Sequence, residues 1–317
     1  MPVKQSEKSV MIGAYYYPWY SPERHWDSGY RGTPLLGEYD SADPAVIHQH
    51  ISWAQAYGVD FFALSWWGKD SFEDNVIRDP FLDVAKDRNF PFAVLYESAG
   101  LLKMHNGKID LDVQSTRQQL ISDFAYLGQQ MLQDPHLFKI DGHPVIFLYL
   151  TRTFTGDVHG ALSEAKAAAV DAGSAEPYLV GDEVYWQYPD KERLGFYDAV
   201  TAYNMHTSVP DIADGFAENV DRQYQLWARI ADQQGIPFIP NIMPGFDDTA
   251  VRPEARHPVI PRSVSLFTAQ LQSAKALASG PQPVVMITSW NEWHEDTSIE
   301  PAAEEGTAYL EVLLESP

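Results

Sequence analysis

The chain has 317 residues, of which 45% are hydrophobic, so it can bury a large core. Lysine and arginine total 22 against 44 aspartate and glutamate residues, and the formal net charge of -22 disfavours nucleic acid and anionic membrane surfaces as partners. Cysteine is absent, which excludes disulfides, a thiolate nucleophile and a thiolate metal site.

The N-terminal residues 1–8 lack the apolar segment of a secretory signal, and no apolar stretch approaches the roughly 18 residues needed to cross a bilayer. We therefore expect a soluble protein without membrane insertion, cytoplasmic as the sequence stands, or extracellular or periplasmic if a leader has been removed. No linker, internal repeat or flexible hinge divides the chain, so a single domain over residues 1–317 is predicted, with a monomer as the simplest oligomeric state.

Apolar, β-branched and aromatic runs alternate with amphipathic segments, a pattern typical of a parallel sheet with helices between its strands. Eight strands are predicted, over residues 10–19, 59–67, 92–98, 145–151, 178–183, 199–206, 238–244 and 284–289. Eight is the number that closes a barrel, and such a barrel takes about 250 residues or more. We predict an α/β fold, a single (β/α)8 TIM barrel with long loops after its strands.

Helix signals fill the segments between these strands. Asp43 and Pro44 supply an N-cap and a first-turn proline for a helix over residues 45–57, which Gly58 ends. Pro80 is expected to divide the helical segment 72–88 into two pieces. Further helices are predicted over residues 115–132, 161–172, 213–234 and 265–278, with little more than a turn at 191–196.

In a barrel of this kind the chemistry lies at the carboxyl ends of the strands. Those ends carry aromatic, amide and acidic side chains, although any single aromatic could simply fill the barrel rim. A phosphate or dinucleotide site is disfavoured, because the sequence has neither a G-x-G-x-x-G turn nor a GK[ST] loop.

The most informative segment follows the last predicted strand and runs from Trp290 through Asn291, Glu292, Trp293 and His294 to Glu295. Two carboxylates in one site repel each other, so one can hold a proton near neutral pH while its neighbour is charged. Tryptophan faces stack on the C–H faces of sugar rings. The segment therefore predicts a sugar-cleaving site, with a surface helix start carrying scattered acids as the structural alternative.

Several segments of the chain together resemble a known protein family: residues 16–20, 36–47, 63–67, 244–253 and 289–300. On these segments, with Glu97 and Tyr203 at strand ends, the chain resembles glycoside hydrolase family 99, the endo-α-mannosidases and bacterial endo-α-1,2-mannanases. The resemblance implies a (β/α)8 barrel and retaining, endo-acting hydrolysis of internal α-1,2-mannosidic bonds in α-mannan or mannose-rich glycans. It implies no metal and no other cofactor.

The resemblance also implies roles for the two glutamates. Glu295 would be the general acid that protonates the departing oxygen and then the base that activates water. Glu292 would take the proton from the sugar's 2-hydroxyl, so that O2 closes on the anomeric carbon through an epoxide-like intermediate. The usual retaining route instead uses a carboxylate nucleophile about 5 Å from the acid, and the sequence does not separate the two routes.

Substrate-binding residues follow in the same way. The resemblance implies that Glu97, Tyr203 and Arg252 line the subsite of the cleaved sugar, and that Trp67 favours a mannosyl over a glucosyl unit, as in bacterial members. The full predicted set is Tyr16, Tyr17, Trp66, Trp67, Glu97, Tyr203, Arg252, Asn291 and His294. Asp296 stands where the family usually has glycine, and we expect it to raise the pKa of Glu295 or to reshape the leaving-group side.

Two rival interpretations remain. The first is a non-hydrolytic carbohydrate-binding or glycosyltransferase-associated barrel from polysaccharide metabolism, which would have little need of both glutamates. The second is a metal hydrolase that uses His206, His257 and His294, but these histidines lack the H-E-x-x-H spacing of a zinc site.

Overall fold

The computed structural model describes residues 10–206 and 212–315. Its main sheet has strands at eight positions around the barrel, each parallel to the next, and a further short strand, Lys139–Ile140, pairs antiparallel with the fourth. The eight are β1 (Met11–Tyr16), β2 (Phe61–Trp66), β3 (Phe92–Tyr96), β4 (His143–Leu148), β5 (Tyr178–Asp182), β6 (Ala199–Thr201), β7 (Phe238–Ile239 and Asn241–Ile242) and β8 (Val284–Ile287).

The sheet closes on itself at Pro240, which splits β7 into its two short pieces. The first piece pairs with β6 and the second with β8, while β8 pairs with β1. The predicted (β/α)8 barrel is therefore confirmed.

Side chains fill both faces of the barrel wall, because successive residues of a strand point to opposite sides. Tyr15 and Phe61 belong to the cluster inside the barrel. A Cβ on Gly13 would lie 2.3 Å from the Phe61 ring, so only glycine lets β1 pass this large interior side chain. A second, larger cluster fills the layer between the strands and the helices around them.

The helices between the strands largely match the sequence prediction. In the first, the Asp43 side chain accepts a hydrogen bond from the Ala45 backbone N–H, and Pro44 takes the first helical position. The connection between β5 and β6 holds only one helical turn, as predicted. The principal helices are Pro44–Ala56, Leu82–Arg88, Gln114–Gln130, Val158–Asp171, Lys191–Leu194, Phe216–Asp232 and Val264–Leu277.

Pro80 acts differently from the predicted division into two pieces. It lies within a π-helical turn, Ile77–Phe81, that joins Phe72–Val76 to Leu82–Arg88 without a break. Proline lacks an N–H and crowds the preceding turn, and a wider turn accommodates both effects.

Several elements among the described residues have no counterpart in the prediction, including the short strand Lys139–Ile140. A small sheet, formed by Met104–His105, Lys108–Asp110 and Phe154–Thr155, ties the loop after β3 to the loop after β4. A helix, Ala308–Glu315, follows the loop after β8. Across residues 10–206 and 212–315, no helix combines the length and the apolar character that a membrane span requires.

Candidate active site

Both candidate catalytic glutamates lie in the loop after β8, at the carboxyl end of the barrel. The Glu292 N–H donates to Ser289 Oγ at 2.8 Å, and Glu292 Oε1 accepts from the His294 N–H at 2.9 Å. The Glu295 carbonyl accepts from the Asp247 N–H at 2.9 Å, which ties this loop to the loop after β7. These contacts fix the backbone at both glutamates, and the His294 N–H also positions the Glu292 carboxyl group.

Asn291 fixes the start of this loop against the end of β1. Its side chain accepts from the Tyr17 N–H at 2.7 Å and donates to the Tyr17 carbonyl at 3.0 Å, while its own carbonyl accepts from the Tyr20 hydroxyl at 3.0 Å. Asn291 is fully buried. The structure places this amide in a positioning role rather than the predicted substrate contact, because its atoms bond to the Tyr17 backbone and to the Tyr39 hydroxyl at 3.1 Å.

A buried network below the loop has no counterpart in the predicted site. Glu300 accepts hydrogen bonds from the Tyr39 hydroxyl at 2.8 Å and from Trp293 Nε1 at 3.1 Å. Its other oxygen lies 3.1 Å from Nε2 of the fully buried His50. Glu300 ends the segment that carries the family resemblance, but its partner His50 is 250 residues away, and the sequence gives no signal that the two meet.

The two glutamates differ in their surroundings. Glu292 is 3% exposed, and burial, followed by the nearby charge of Glu295, raises its pKa well above the usual range. Burial also raises the pKa of Glu295, but Arg252 opposes the rise, with Nη1 2.6 Å from Glu295 Oε1. A proton shared by the pair is therefore favoured on Glu292 over Glu295.

A third carboxyl group faces the same site from the end of β3. Glu97 is buried, and burial raises its pKa to about 8 although the Ser65 hydroxyl donates to its Oε1 at 2.7 Å. Trp67 Nε1 donates to the same Ser65 oxygen at 2.7 Å. The Ser65 hydroxyl therefore connects the uncharged Glu97 carboxyl group to the Trp67 indole and helps to orient this ring, which is 36% exposed.

Tyr17 and Tyr203 also meet in the site, and their hydroxyls are hydrogen-bonded to each other. Burial raises the pKa of both phenols, so both remain protonated donors at neutral pH. The Tyr203 N–H donates to Asp182 Oδ1 at 2.9 Å, and Asp182 in turn pairs with Arg152 at 2.9 Å.

His294 contacts this site from the loop after β8. Its Nδ1 donates to the Gly29 carbonyl at 2.9 Å, and burial lowers its pKa, which favours the neutral ring. Its Nε2 is then an acceptor, buried and without a partner among the described residues.

Tyr16 and Trp66 do not reach the cleft, so their predicted substrate contacts are wrong. The Tyr16 hydroxyl bonds to His50 Nδ1 at 3.1 Å, and Trp66 Nε1 donates to Asp74 Oδ1 at 2.8 Å, both in the layer outside the barrel. Alternation along each strand sends these residues outward and leaves Tyr17 and Trp67 on the side of the site.

Asp296 also differs from expectation. Its φ of 55° is in the left-handed region that favours glycine. Its carboxylate lies 3.5 Å from Arg262, and the groups that act most on the pKa of Glu295 are Arg252, Asp248 and His257. The expected rise in the pKa of Glu295 caused by Asp296 is therefore not found.

The three histidines of the metal-site alternative have other contacts. The His206 ring lies 4.0 Å from that of Phe246, His257 Nδ1 lies 2.7 Å from Asp248 Oδ2, and His294 bonds to backbone. Within the described ranges, no group of three or more histidines, aspartates or glutamates is arranged to hold a metal ion.

Comparison with known proteins identifies the family. Residues 32–313 match the model of the family described as Glycosyltransferase WbsX. The chain belongs to this family. This WbsX-family chain is 26% identical to a human glycoprotein endo-alpha-1,2-mannosidase-like protein over 366 residues, covering 100% of the chain and 74% of the relative. It is 24% identical to a Mus musculus glycoprotein endo-alpha-1,2-mannosidase, covering 100% of the chain and 76% of the relative.

A solved structure, the GH99 endo-alpha-mannosidase from Bacteroides thetaiotaomicron in complex with Bis-Tris-propane, aligns with a TM-score of 0.72 at 20% identity. The alignment covers 97% of the WbsX-family chain and 96% of that chain, and it supports the barrel fold. Together with the named relatives, these matches confirm the resemblance to glycoside hydrolase family 99, and the relatives are glycoside hydrolases by name, in agreement with the predicted enzyme class.

Proposed function

We propose that the protein is an endo-acting, retaining glycoside hydrolase that cleaves internal α-1,2-mannosidic bonds in α-mannan or mannose-rich glycans. The observation that carries the proposal is the Glu292–Glu295 pair, in which burial and mutual repulsion favour a single shared proton. The relatives named as endo-α-1,2-mannosidases support the choice of substrate.

For this chemistry, the proton of the glutamate pair must move from Glu292 to Glu295. Arg252 favours the charged form of Glu295, yet a general acid must carry the proton. A bound sugar whose hydroxyls engage the Arg252 guanidinium would weaken that ion pair, so that Glu295 takes the proton and Glu292 becomes the base. We assign Arg252 to this exchange, since its planar fork suits hydroxyl groups.

In the first step, Glu292 removes the proton from the 2-hydroxyl while O2 attacks the anomeric carbon. The bond to the leaving oxygen breaks, and that oxygen receives the proton of Glu295. In the second step, Glu295 takes a proton from water as the water oxygen attacks the anomeric carbon. The bond from this carbon to O2 opens, and O2 recovers its proton from Glu292. Two displacements retain the configuration.

Glu97, Tyr17 and Tyr203 are proposed to hold the cleaved sugar. All three present protonated oxygens at neutral pH, because burial raises the pKa of each. Neutral donors bind sugar hydroxyls without placing a further negative charge beside the glutamate pair.

A second candidate function is glycosyl transfer, and the description of the matching family, Glycosyltransferase WbsX, favours it. In that case the same barrel would pass the sugar to an acceptor hydroxyl rather than to water. The absence of glycine-rich phosphate-binding motifs in the sequence counts against a nucleotide-sugar donor.

Incubation with yeast-type α-mannan, with and without added oligosaccharide acceptors, tests the proposal. Hydrolysis should release short oligosaccharides without an acceptor, and Glu295→Gln should lower turnover by about 10²- to 10⁴-fold. Glu254→Gln, which alters an exposed acid in the loop after β7, should leave turnover unchanged. Product formation only in the presence of an acceptor would favour transfer, and near wild-type turnover of Glu295→Gln would remove this residue from the mechanism.

A further inference from the structure

A cavity of about 560 Å³ lies beside the candidate active site, among the loops that follow β3, β4 and β5. Its lining includes Lys108, Arg152, Thr153, Gln187 and Tyr188. Its volume falls within the range of roughly 300–1,000 Å³ that is common for small-ligand sites.

The outer wall of this cavity is held firmly. Arg193 donates to both oxygens of Glu183, at 2.5 and 3.0 Å, and also to the carbonyls of Thr151 at 2.8 Å and Phe154 at 3.0 Å. Asp190 caps the helix that follows by accepting from two of its N–H groups. These charged groups are therefore satisfied within the protein and keep the wall in one shape.

The chemistry of the lining suits a neutral sugar. Tyr188 is 66% exposed, and the lining combines it with two further aromatic residues, Phe154 and Trp227, and with hydroxyl, amide and charged groups. A flat aromatic face takes the C–H face of a pyranose, while the polar groups around it take the hydroxyls. An apolar ligand would leave those polar groups without partners.

Arg152 links this cavity to residues of the candidate active site. It lines the cavity, and its guanidinium also donates to Asp182 at 2.9 Å and to Asn204 at 2.5 Å. Asp182 holds the Tyr203 backbone, and the Tyr203 hydroxyl meets Tyr17 in the cleft. Arg152 therefore connects the lining of the cavity, through Asp182, to the backbone of a residue in the candidate active site.

The position of the cavity around the barrel indicates which part of a glycan would reach it. Trp67 follows β2, whereas Tyr188 follows β5, three strands further round the sheet. If the sugar preceding the cleaved residue packs against Trp67, a glycan that crosses the glutamate pair continues toward Tyr188 with its leaving-group portion.

We propose that this cavity is a remote leaving-group subsite, in which a sugar residue downstream of the cleaved bond stacks on Tyr188. The proposal rests on the proposed function, since it concerns the same glycan. Such a subsite would favour long chains over terminal disaccharides as substrates.

The test compares a long α-mannooligosaccharide with a short aryl mannosyl-mannoside whose leaving group ends near the glutamates. Tyr188→Ala should raise KM for the long substrate by about tenfold, the loss expected for one stacked aromatic contact, and leave kcat/KM for the short donor unchanged. Tyr188→Phe keeps the ring and should behave as the unaltered protein. Equal effects on both substrates, or no effect on either, would overturn the proposal.

A binding measurement separates failure of this proposal from failure of the proposed function. Titration of α-mannooligosaccharides into the protein by calorimetry requires no turnover. Binding that is weakened by Tyr188→Ala but not by Tyr188→Phe supports the subsite even if no mannoside is hydrolysed. Binding of the same strength in all three proteins, or no binding at all, contradicts it.

Discussion

Arg252 Nη1 lies 2.6 Å from Glu295 Oε1 and 3.1 Å from Asp248 Oδ2, so one guanidinium nitrogen is shared by the proposed acid and a buried aspartate. Asp248 also accepts from, or pairs with, His257 Nδ1 at 2.7 Å. Arg252 and His257 lower the pKa of Glu295, whereas Asp248 raises it. Asp248 therefore partly offsets the effect of Arg252 on the pKa of Glu295.

Substitutions of Asp248 and of Arg252 should move the pH profile of kcat/KM in opposite directions. Activity requires one proton on the Glu292–Glu295 pair, so kcat/KM falls at high pH as the pair loses that proton. Asp248→Asn removes a negative charge and should lower the pH at which kcat/KM falls. Arg252→Gln removes the positive charge, so it should raise that pH while lowering kcat/KM itself. The measurement is kcat/KM against pH for the three proteins, and shifts in the same direction would contradict this electrostatic account.

Glu97 should make the folded state less stable as the pH rises. Burial raises its folded pKa from 4.5 to about 8, so between these values the unfolded chain releases a proton that the folded protein retains. The stability that this group contributes is present below its unfolded pKa and is lost as the pH rises through its folded pKa. The loss is on the order of a few kcal/mol.

Glu97→Gln stays neutral throughout this range and can keep the contact with Ser65. The free energy of unfolding of the variant, relative to that of the unaltered protein, should therefore increase between about pH 5 and about pH 8.5. Denaturant unfolding at both pH values measures the difference. A difference that does not change with pH would mean that Glu97 titrates normally.

Trp67 should set the preference for the sugar that precedes the cleaved residue. A rigid indole at that edge leaves the equatorial 2-hydroxyl of glucose without a partner, at a cost of roughly 1–3 kcal/mol, whereas the axial hydroxyl of mannose avoids it. We expect faster cleavage of a mannosyl-α-1,3-mannosyl donor than of its glucosyl counterpart, with Trp67→Tyr narrowing the ratio of kcat/KM values.

Gly100 provides an independent check on Trp67. A Cβ on Gly100 would lie 2.5 Å from the indole ring, so Gly100→Ala should displace the ring and narrow the same ratio without altering Trp67 itself. Equal kcat/KM values for both donors in the unaltered protein, or an unchanged ratio in Trp67→Tyr, would contradict the assignment.

Glu292→Gln separates the two retaining routes. If Glu292 is a base toward the 2-hydroxyl, the variant should be inactive and azide should not restore turnover, because no carboxylate nucleophile has been removed. A glycosyl azide of inverted configuration, detected by mass spectrometry and NMR, would instead indicate that Glu292 forms a covalent intermediate.

The fold was predictable because its strands are apolar runs. The site was predictable in part because a segment rich in glutamate and tryptophan follows the last of these strands. The direction of individual side chains was not. Strands β1 and β2 are buried almost throughout, so alternation leaves no polar pattern to show that Tyr16 and Trp66 point outward. Contacts such as Arg252 with Glu295, 43 residues apart, depend on how two loops meet above the barrel.

The central claim is that the glutamate pair hydrolyses internal α-1,2-mannosidic bonds with retention. Time-resolved proton NMR of a yeast-type α-mannan digest tests it most directly, because one spectrum reports the bond lost, the size of the fragments and the first anomer formed. The account predicts early loss of internal α-1,2 linkages, oligosaccharide products and an initial α-anomer at the new reducing end. Release of free mannose from chain ends, an initial β-anomer, or no loss of α-1,2 linkages would contradict it.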